Sequence, residues 1–332
     1  SVVTIKDVAA EAEVSIATVS RVLNGSGYVS EDTKVRVLRV INRLNYHPMP
    51  SIRKRSLYRT LGVLLPNTMG NHYGEIFMGI EEYAHRNGFN VMLAMAREMM
   101  SREQEILNEY FQRKVDGVIV ATLHSDEHML NMFIQSGIAV VAVDSPIREI
   151  RADSVNIDNA SAAYCVAKYL YDRGHRHVLF LPGQEDVHAS RDRLKGLRKF
   201  ATRSPDFNLK VARIGGFEPH HGQEAIRDYL LNPGVNFTAI FAVNDHVAMG
   251  AIQELHRNHI RVPEDVSVIG FDDSVHAPFT IPSLTTVSQP RIEMGSAAAQ
   301  LLIERLKSTQ KRVFRNIVLP TAIIERESVK IV

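Results

Sequence analysis

Residues 4–23 read TIKDVAAEAEVSIATVSRVL, and the run spells two short helices with a break between them. Thr4 with Asp7 three positions on is a capping pattern, in which side chains satisfy the free N–H groups of a helix start, so a helix is predicted from Ile5. Ile5, Val8, Ala9 and Ala12 recur at helical spacing and give it one apolar face. The pattern breaks at Glu13-Val14, after which Ser15 is placed to cap a second helix whose Val19, Val22 and Leu23 turn inward. Ile16, Ala17, Ser20 and Arg21 are left on the outward side. A helix with a small, neutral front end and an arginine one turn later suits entry into the major groove of DNA. Small side chains let the backbone come close, and Arg21 reaches a guanine edge or a phosphate. An ordinary helical hairpin also meets the apolar spacing, so the wider wording of the run decides between the two.

From Thr4 through Pro48 the chain resembles the DNA-binding headpiece of the LacI/GalR family of bacterial transcription regulators. The T-V-S-R-V-L-N run, the V-S before a third helix and the L-x-Y-x-P ending carry the resemblance. It implies that Thr4, Ser15, Thr18, Asn24 and Tyr46 join Ile16, Ala17, Ser20 and Arg21 as candidate contacts to double-stranded operator DNA. Ser30 is predicted to cap the third helix, Glu31 to Leu44, with Val35, Leu38, Ile41 and Leu44 closing a small core. A basic linker follows, SIRKRSLYRT at 51–60. The resemblance implies a hinge there that turns helical on the operator and wedges a leucine from each subunit into the minor groove. Arg53, Arg55 and Leu57 are its candidate contacts. The chain departs from the family pattern here: Met49-Pro50 stands where Asn-Ala is usual, and Arg55 falls where the leucine is expected.

Composition bounds the rest. At 332 residues the chain exceeds one typical domain, and 45% apolar residues supply a full core. No apolar stretch is long enough to span a membrane, and no secretory signal pattern opens the chain, so a cytoplasmic protein is expected. The single cysteine, Cys165, has no internal disulfide partner and reads as a buried, inert thiol. The net charge of +2 hides an asymmetry: ten basic residues face five acidic ones through Thr60, about +5, which leaves about −3 for the remainder. A basic head on a mildly acidic body suits phosphate contact by the head.

From Leu61 the period changes, and short apolar runs alternate with amphipathic helices to about Ile269. The strands are predicted at Leu61–Leu65, Phe89–Ala94, Val118–Val120, Ala139–Val143, His177–Leu181, Leu209–Ile214, Ala239–Val243 and Val266–Ile269. Helices are predicted between them, one capped by Ser101 with Gln104. This pattern means parallel sheets covered on both faces, in two sets with a ligand cleft at the strands' carboxyl ends. The resemblance extends over this region through V-D-G-V-I at 115–119, N-I-D-N at 156–159, R-L-K-G at 193–196, N-D-H-V-A-M-G at 244–250, V-P-E-D-V-S-V-I-G-F-D-D at 262–273 and S-L-T-T-V-S-Q-P at 283–290. It implies an α/β chain: an all-α helix-turn-helix headpiece at 1–48, a hinge at 49–60, and a two-lobed periplasmic-binding-protein-like body at 61–332 with two parallel sheets. The first lobe would hold about 61–158 and 288–319, and the second about 159–287 and 320–332.

Tyr73, Asp144, Arg193, Asn244 and Asp272 each sit just past a strand end, and Phe217 falls where the family places an aromatic on its effector. Carboxylates accept from paired hydroxyls, Arg and Asn span neighbouring oxygens, and an aromatic face covers a sugar ring, so these six suit a small polar effector. Arg191 with Arg193 would also suit a phosphate or carboxylate. Asp158, Asp245 and Asp273 read as caps or turn formers rather than ligands. The histidine pairs His175/His177 and His220/His221 read as surface residues and not as metal ligands. No metal, cofactor or catalytic residue is predicted, and the dinucleotide, P-loop and nucleophile-elbow motifs are missing. The expectation is a homodimeric repressor of a carbohydrate-utilisation operon, controlled by a sugar, sugar acid or sugar phosphate. A purine- or nucleoside-responsive regulator of the same architecture is the alternative, and a solute-binding protein a more distant one. The C-terminus, directly after the last body strand, favours a dimer over a tetramer.

Overall fold

The computed structural model describes residues 4–24, 27–44, 46, 59–66, 72–97, 99–121, 127–145, 151–232, 236–308 and 313–332. They form two units, one taking in the headpiece through Ser56 and the other most of the chain from Leu57. In the headpiece, Thr4 donates from both N and Oγ1 to Asp7 Oδ2 at 2.7 Å and starts α1 (Ile5–Glu11). Ser15 Oγ accepts from Thr18 N at 3.1 Å at the start of α2 (Ile16–Asn24), and Ser30 does the same for Thr33 before α3 (Glu31–Arg43). Val8, Ala12, Val19 and Val37 are fully buried where the three helices meet, with Val40 and Tyr46 beside them. The expected face of α3 is corrected. Val35 and Leu38 are 50% and 42% exposed, and Val37 and Val40 fill the core instead. Apolar residues at 35, 37, 38, 40, 41 and 44 cover most of the helix surface, so spacing alone could not choose the face. Arg53, Arg55, Leu57, the hinge helix and the Asn24 side chain lie outside the described residues.

The first lobe of the body is a six-stranded parallel sheet built from β1 (Thr60–Leu65), β2 (Asn90–Met95), β3 (Gly117–Val120), β4 (Ala139–Val143), β5 (Asp153–Ile157) and β11 (Asn316–Leu319), in the order β11-β5-β4-β3-β1-β2. Its helices are α4 (His72–Arg86), α5 (Met100–Gln112), α6 (Glu127–Gln135) and α11 (Arg291–Lys307). The second lobe has β6 (His177–Leu181), β7 (Asn208–Val211), β8 (Ala239–Ala242) and β9 (Ser267–Ile269), parallel in the order β7-β6-β8-β9, with α7 (Asn159–Asp172), α8 (His188–Arg203), α9 (Pro219–Leu231) and α10 (Asp245–Arg257). The central strands are buried apolar runs, as a sheet covered on both faces requires. An antiparallel pair, β10 (Thr286–Ser288) with β12 (Ala322–Ile324), lies at the crossing between lobes, where Ser288 bridges to Asp272. The chain therefore passes from lobe to lobe at 157–159, 288–291 and 319–322.

Three further expectations are corrected. Ser101 lies inside α5, which starts at Met100 without a side-chain cap. Cys165 is exposed, because the buried stripe of α7 runs through Ala162, Ala163, Val166, Ala167 and Leu170. His175 is fully buried and is bonded to Thr238 Oγ1 at 2.8 Å and Lys330 O at 3.1 Å, so it is a core histidine. The spacing also left β5, β10, β11, β12 and α11 unassigned.

One close helix contact joins the two ends of the first lobe. A Cβ on Gly79 of α4 would stand 2.0 Å from Ile292 O, and one on Gly295 of α11 would stand 1.9 Å from Ile76 O. The two helices touch backbone to backbone, and only hydrogen fits at either position. Gly295→Val must push α11 off α4 and is expected to lower stability by about 1–3 kcal/mol, seen as an earlier urea midpoint. Gln300→Val, on the exposed side of α11, should leave the midpoint nearly unchanged.

Candidate functional sites: the headpiece face and the inter-lobe cleft

The outward side of α2 carries Ile16, 45% exposed, with Ala17 and Arg21 also exposed and Thr18 and Ser20 half-buried. Ser15 and Thr18 hydroxyls bond each other at 2.9 Å, which leaves the front of the helix short and neutral. Arg21 lies over Gly27, whose Cβ position would be 3.5 Å from the arginine Cδ. Thr4 is committed to its cap. Tyr46 is 8% exposed and packs in the headpiece core, so its ring supports the helices rather than the outward face.

In the body, polar side chains gather where strand ends of both lobes meet. From the first lobe, Asp144 follows β4 in the left-handed region, φ +50°, and its Oδ2 accepts from His72 Nε2 at 2.8 Å. His72 opens α4, and Tyr73 beside it is buried with its ring edge-on to the imidazole. From the second lobe, Arg193 of α8 is 5% exposed. Its Nε donates to Asn159 Oδ1 at 3.0 Å, its Nη1 donates to Val243 O, and its guanidinium lies 3.5 Å over the Phe271 ring. Asn244 caps α10, accepting from Val247 N at 2.8 Å and donating to Phe217 O at 2.9 Å. The Phe217 ring lies against Gly183, just past β6. Asp272, φ +111°, follows β9, and its Oδ1 accepts from Gln289 Nε2 at 2.7 Å at the crossing. Arg291, opening α11, bonds Glu75 of α4 at 2.9 Å and Asp273 O at 3.1 Å.

The electrostatics follow from burial and pairing. Burial drives the His72 imidazole down, but the Asp144 carboxylate more than reverses this and holds it above its ordinary value. The Asp144 carboxyl is opposed by burial and still ends below its ordinary value, because His72, His188 and Arg193 all favour its charge. Burial keeps His188 low and therefore neutral near pH 7. Asp144 is thus matched by His72, Asp272 by Arg193, and Glu75 by Arg291. Arg191 is exposed while Arg193 is buried, as two positions apart on a helix dictates, so the two guanidiniums do not form one anion clamp. Among the described residues, buried polar atoms at this meeting point without a hydrogen-bond partner include His72 Nδ1, Gln289 Oε1 and Arg291 Nη1.

The sequence reading named Tyr73, Asp144, Arg193, Asn244 and Asp272, and the fold brings them to one region between the lobes. The Asn244 amide already bonds its helix cap and the Phe217 loop, each with one of its two hydrogen-bonding capacities. Spacing missed His72, His188, Arg291 and the partners Asn159 and Gln289. The last two stood inside quoted motifs, N-I-D-N and S-L-T-T-V-S-Q-P, while His72 had no signal beyond its neighbour Tyr73. His220 and His221 stack at 3.9 Å in the first turn of α9, where His221 Nδ1 accepts from Glu218 N at 3.2 Å.

Comparison with known proteins matches both parts of the chain. Residues 4–49 match the family described as bacterial regulatory proteins, lacI family, and residues 167–329 match the periplasmic binding protein-like domain. The chain is 36% identical to the HTH-type transcriptional regulator RegA of Clostridium saccharobutylicum, over 98% of each protein. It is 32% identical to the HTH-type transcriptional repressor PurR of Photobacterium profundum, again over 98% of each. Among solved structures, the transcriptional regulator CelR in complex with cellobiose superposes with a TM-score of 0.74 at 30% identity, covering 98% of this chain and 99% of that one. The chain belongs to the lacI family of bacterial regulatory proteins and is a helix-turn-helix, DNA-binding transcriptional regulator.

Proposed function

We propose that this regulator represses transcription from a near-palindromic operator as a homodimer, and that a neutral, polyhydroxylated effector of carbohydrate origin controls it from the inter-lobe cleft. The observation that carries the effector class is the set of unpartnered atoms around a charge-balanced site. Gln289 Oε1 calls for a donor, Arg291 Nη1 for an acceptor, and His72 Nδ1 for either, and a hydroxyl serves each need. Among the described residues, the acids Asp144, Asp272 and Glu75 face His72, Arg193 and Arg291, which leaves no positive charge in excess for a phosphate or carboxylate. A sugar acid or sugar phosphate is therefore disfavoured against a neutral sugar. The cellobiose bound by CelR supports the carbohydrate reading. The PurR relative, with the Phe217 ring on the loop past β7, supports a nucleoside as the second reading.

A ligand bridging Asp144 in one lobe and Asp272 and Arg193 in the other binds the closed arrangement more tightly than an open one. That difference in affinity is the whole of the available allosteric free energy. The chain regulates rather than catalyses, and it works on DNA in the cytoplasm.

A thermal-shift screen of neutral sugars, their phosphates and acids, and nucleosides tests the effector class. A neutral sugar at about 100 times its dissociation constant adds about 2.7 kcal/mol and raises the melting temperature by several degrees. Asp272→Asn should weaken that sugar about 10- to 100-fold, since it discards a charged acceptor. A larger shift from a sugar phosphate than from its parent sugar would reject the neutral reading. On DNA, Arg21→Ala should lower affinity for the operator about tenfold or more and relax the base preference at one position, measured by competition with random duplex. Unchanged preference would remove Arg21 from the base-reading set.

A further inference from the structure

Asp245 was read from sequence as a helix cap, yet Asn244 holds that position and Asp245 is the first residue inside α10, 1% exposed. Its carboxylate bonds away from α10. Oδ2 accepts from Ser274 N at 2.7 Å, and Oδ1 accepts from Thr286 Oγ1 at 2.5 Å. Its own N–H donates to Phe271 O at 2.8 Å. Each bond therefore ends on the 270–274 loop that carries Asp272 or on β10, the crossing strand. The fit is tight: a Cβ on Gly270 would lie 2.2 Å from Asp245 Oδ1, so the loop can wrap the carboxylate only with glycine there. The same loop holds Asp272 and Asp273 at φ +111° and +51°, conformations that side-chain-bearing residues keep only when their surroundings over-determine them. Asp272 N–H donates to Val287 O at 2.8 Å, and Asp273 N–H to Thr286 Oγ1 at 3.3 Å.

We propose that Asp245 is a positioning residue for the effector site, which aims Asp272 into the cleft and locks the loop bearing it to the crossing strand β10. The proposal rests on reading Asp272 as an effector contact. One carboxylate under the loop thus supports both the ligand-facing acid and the strand along which the lobes are joined.

The lock carries a proton switch. Burial first and the neighbouring Asp272 carboxylate second push the Asp245 carboxyl up to about 7. The charged groups facing it are Asp272 on the same loop and Arg193 of α8, with His72 and Asp144 beyond them across the cleft. The folded chain then holds, between pH about 4 and about 7, a proton that an opened loop releases. The lock is firmest at the acid end of that window, weakens as pH rises through it, and levels off above about 7. His72, raised above 6.5, acts in a higher window, which His72→Gln removes as a control.

Hydrogen exchange read by mass spectrometry on the full, effector-free chain from pH 5 to 8 tests this, with rates corrected for intrinsic exchange. In the wild type, protection of peptides spanning 270–274 and 285–288 is expected to fall by up to about tenfold per pH unit to pH 7 and then flatten. Asp245→Asn keeps an acceptor for Ser274 and a donor for Thr286 Oγ1, so it should stay protected with no pH slope. Asp245→Ala should exchange fast throughout. The same pH slope in wild type and Asp245→Asn, or full protection in Asp245→Ala, overturns the proposal. Because the readout needs no effector, such a result removes Asp245 alone, whereas a screen without any sugar or nucleoside hit removes the cleft reading and leaves the exchange result standing.

Discussion

A guanidinium taken out of water must have its donors met, and the burial of Arg193 sets the terms for the cleft around it. The side chain reaches the amide of Asn159, the carbonyl of Val243 and the ring of Phe271. Those three belong to the first residue past the crossing from lobe one, the residue after β8, and the loop after β9. One arginine therefore fastens α7, β8 and the 270–274 loop at the cleft face of the second lobe. Its charge is held by carboxylates on either side, Asp144 from one lobe and Asp272 from the other. Replacement by lysine keeps the charge but loses the fork and the planar stack.

The alternation of apolar runs and amphipathic helices was plain in the sequence because both sheets are parallel and covered on both faces, which makes their strands uniformly apolar. Elements lacking that pattern stayed hidden. Strand β5 alternates buried with half-buried residues, and β11 is exposed at every second position, so neither reads as a core strand. The site was legible where a residue stands within three positions of a strand's end, as Asp144, Asn244 and Asp272 do. It was illegible where the partner comes from far along the chain. Gln289 meets Asp272 across the crossing and Arg291 meets Glu75 from 216 positions away, and pairings of that kind leave no local trace. The reverse error occurred at α3 and Cys165, where an apolar neighbourhood in sequence was taken for burial in space.

The headpiece and body divide the work by charge as well as by fold. The head carries the excess of basic residues, while in the cleft Asp144 is met by His72 and Glu75 by Arg291. A balanced interior allows a neutral ligand to enter without leaving an ion unpaired, and it lets affinity depend on hydrogen-bond geometry across the lobes. Geometry of that kind changes when the lobes move, so an effector recognised through it also senses their movement.

The backbone contact of α4 with α11 has a bearing on how the protein is made. The first lobe opens with β1 near Thr60 but receives α11 and β11 only from residues 291–319, after the four parallel strands of the second lobe have been written. During synthesis its sheet must wait, with the apolar surface that α11 covers open to water, while the contiguous strands β6 to β9 of the second lobe emerge and pair. The lobe that begins first in the chain is thus among the last parts of the molecule to close. The cleft between them comes into being only once residues 291–319 have joined the first lobe.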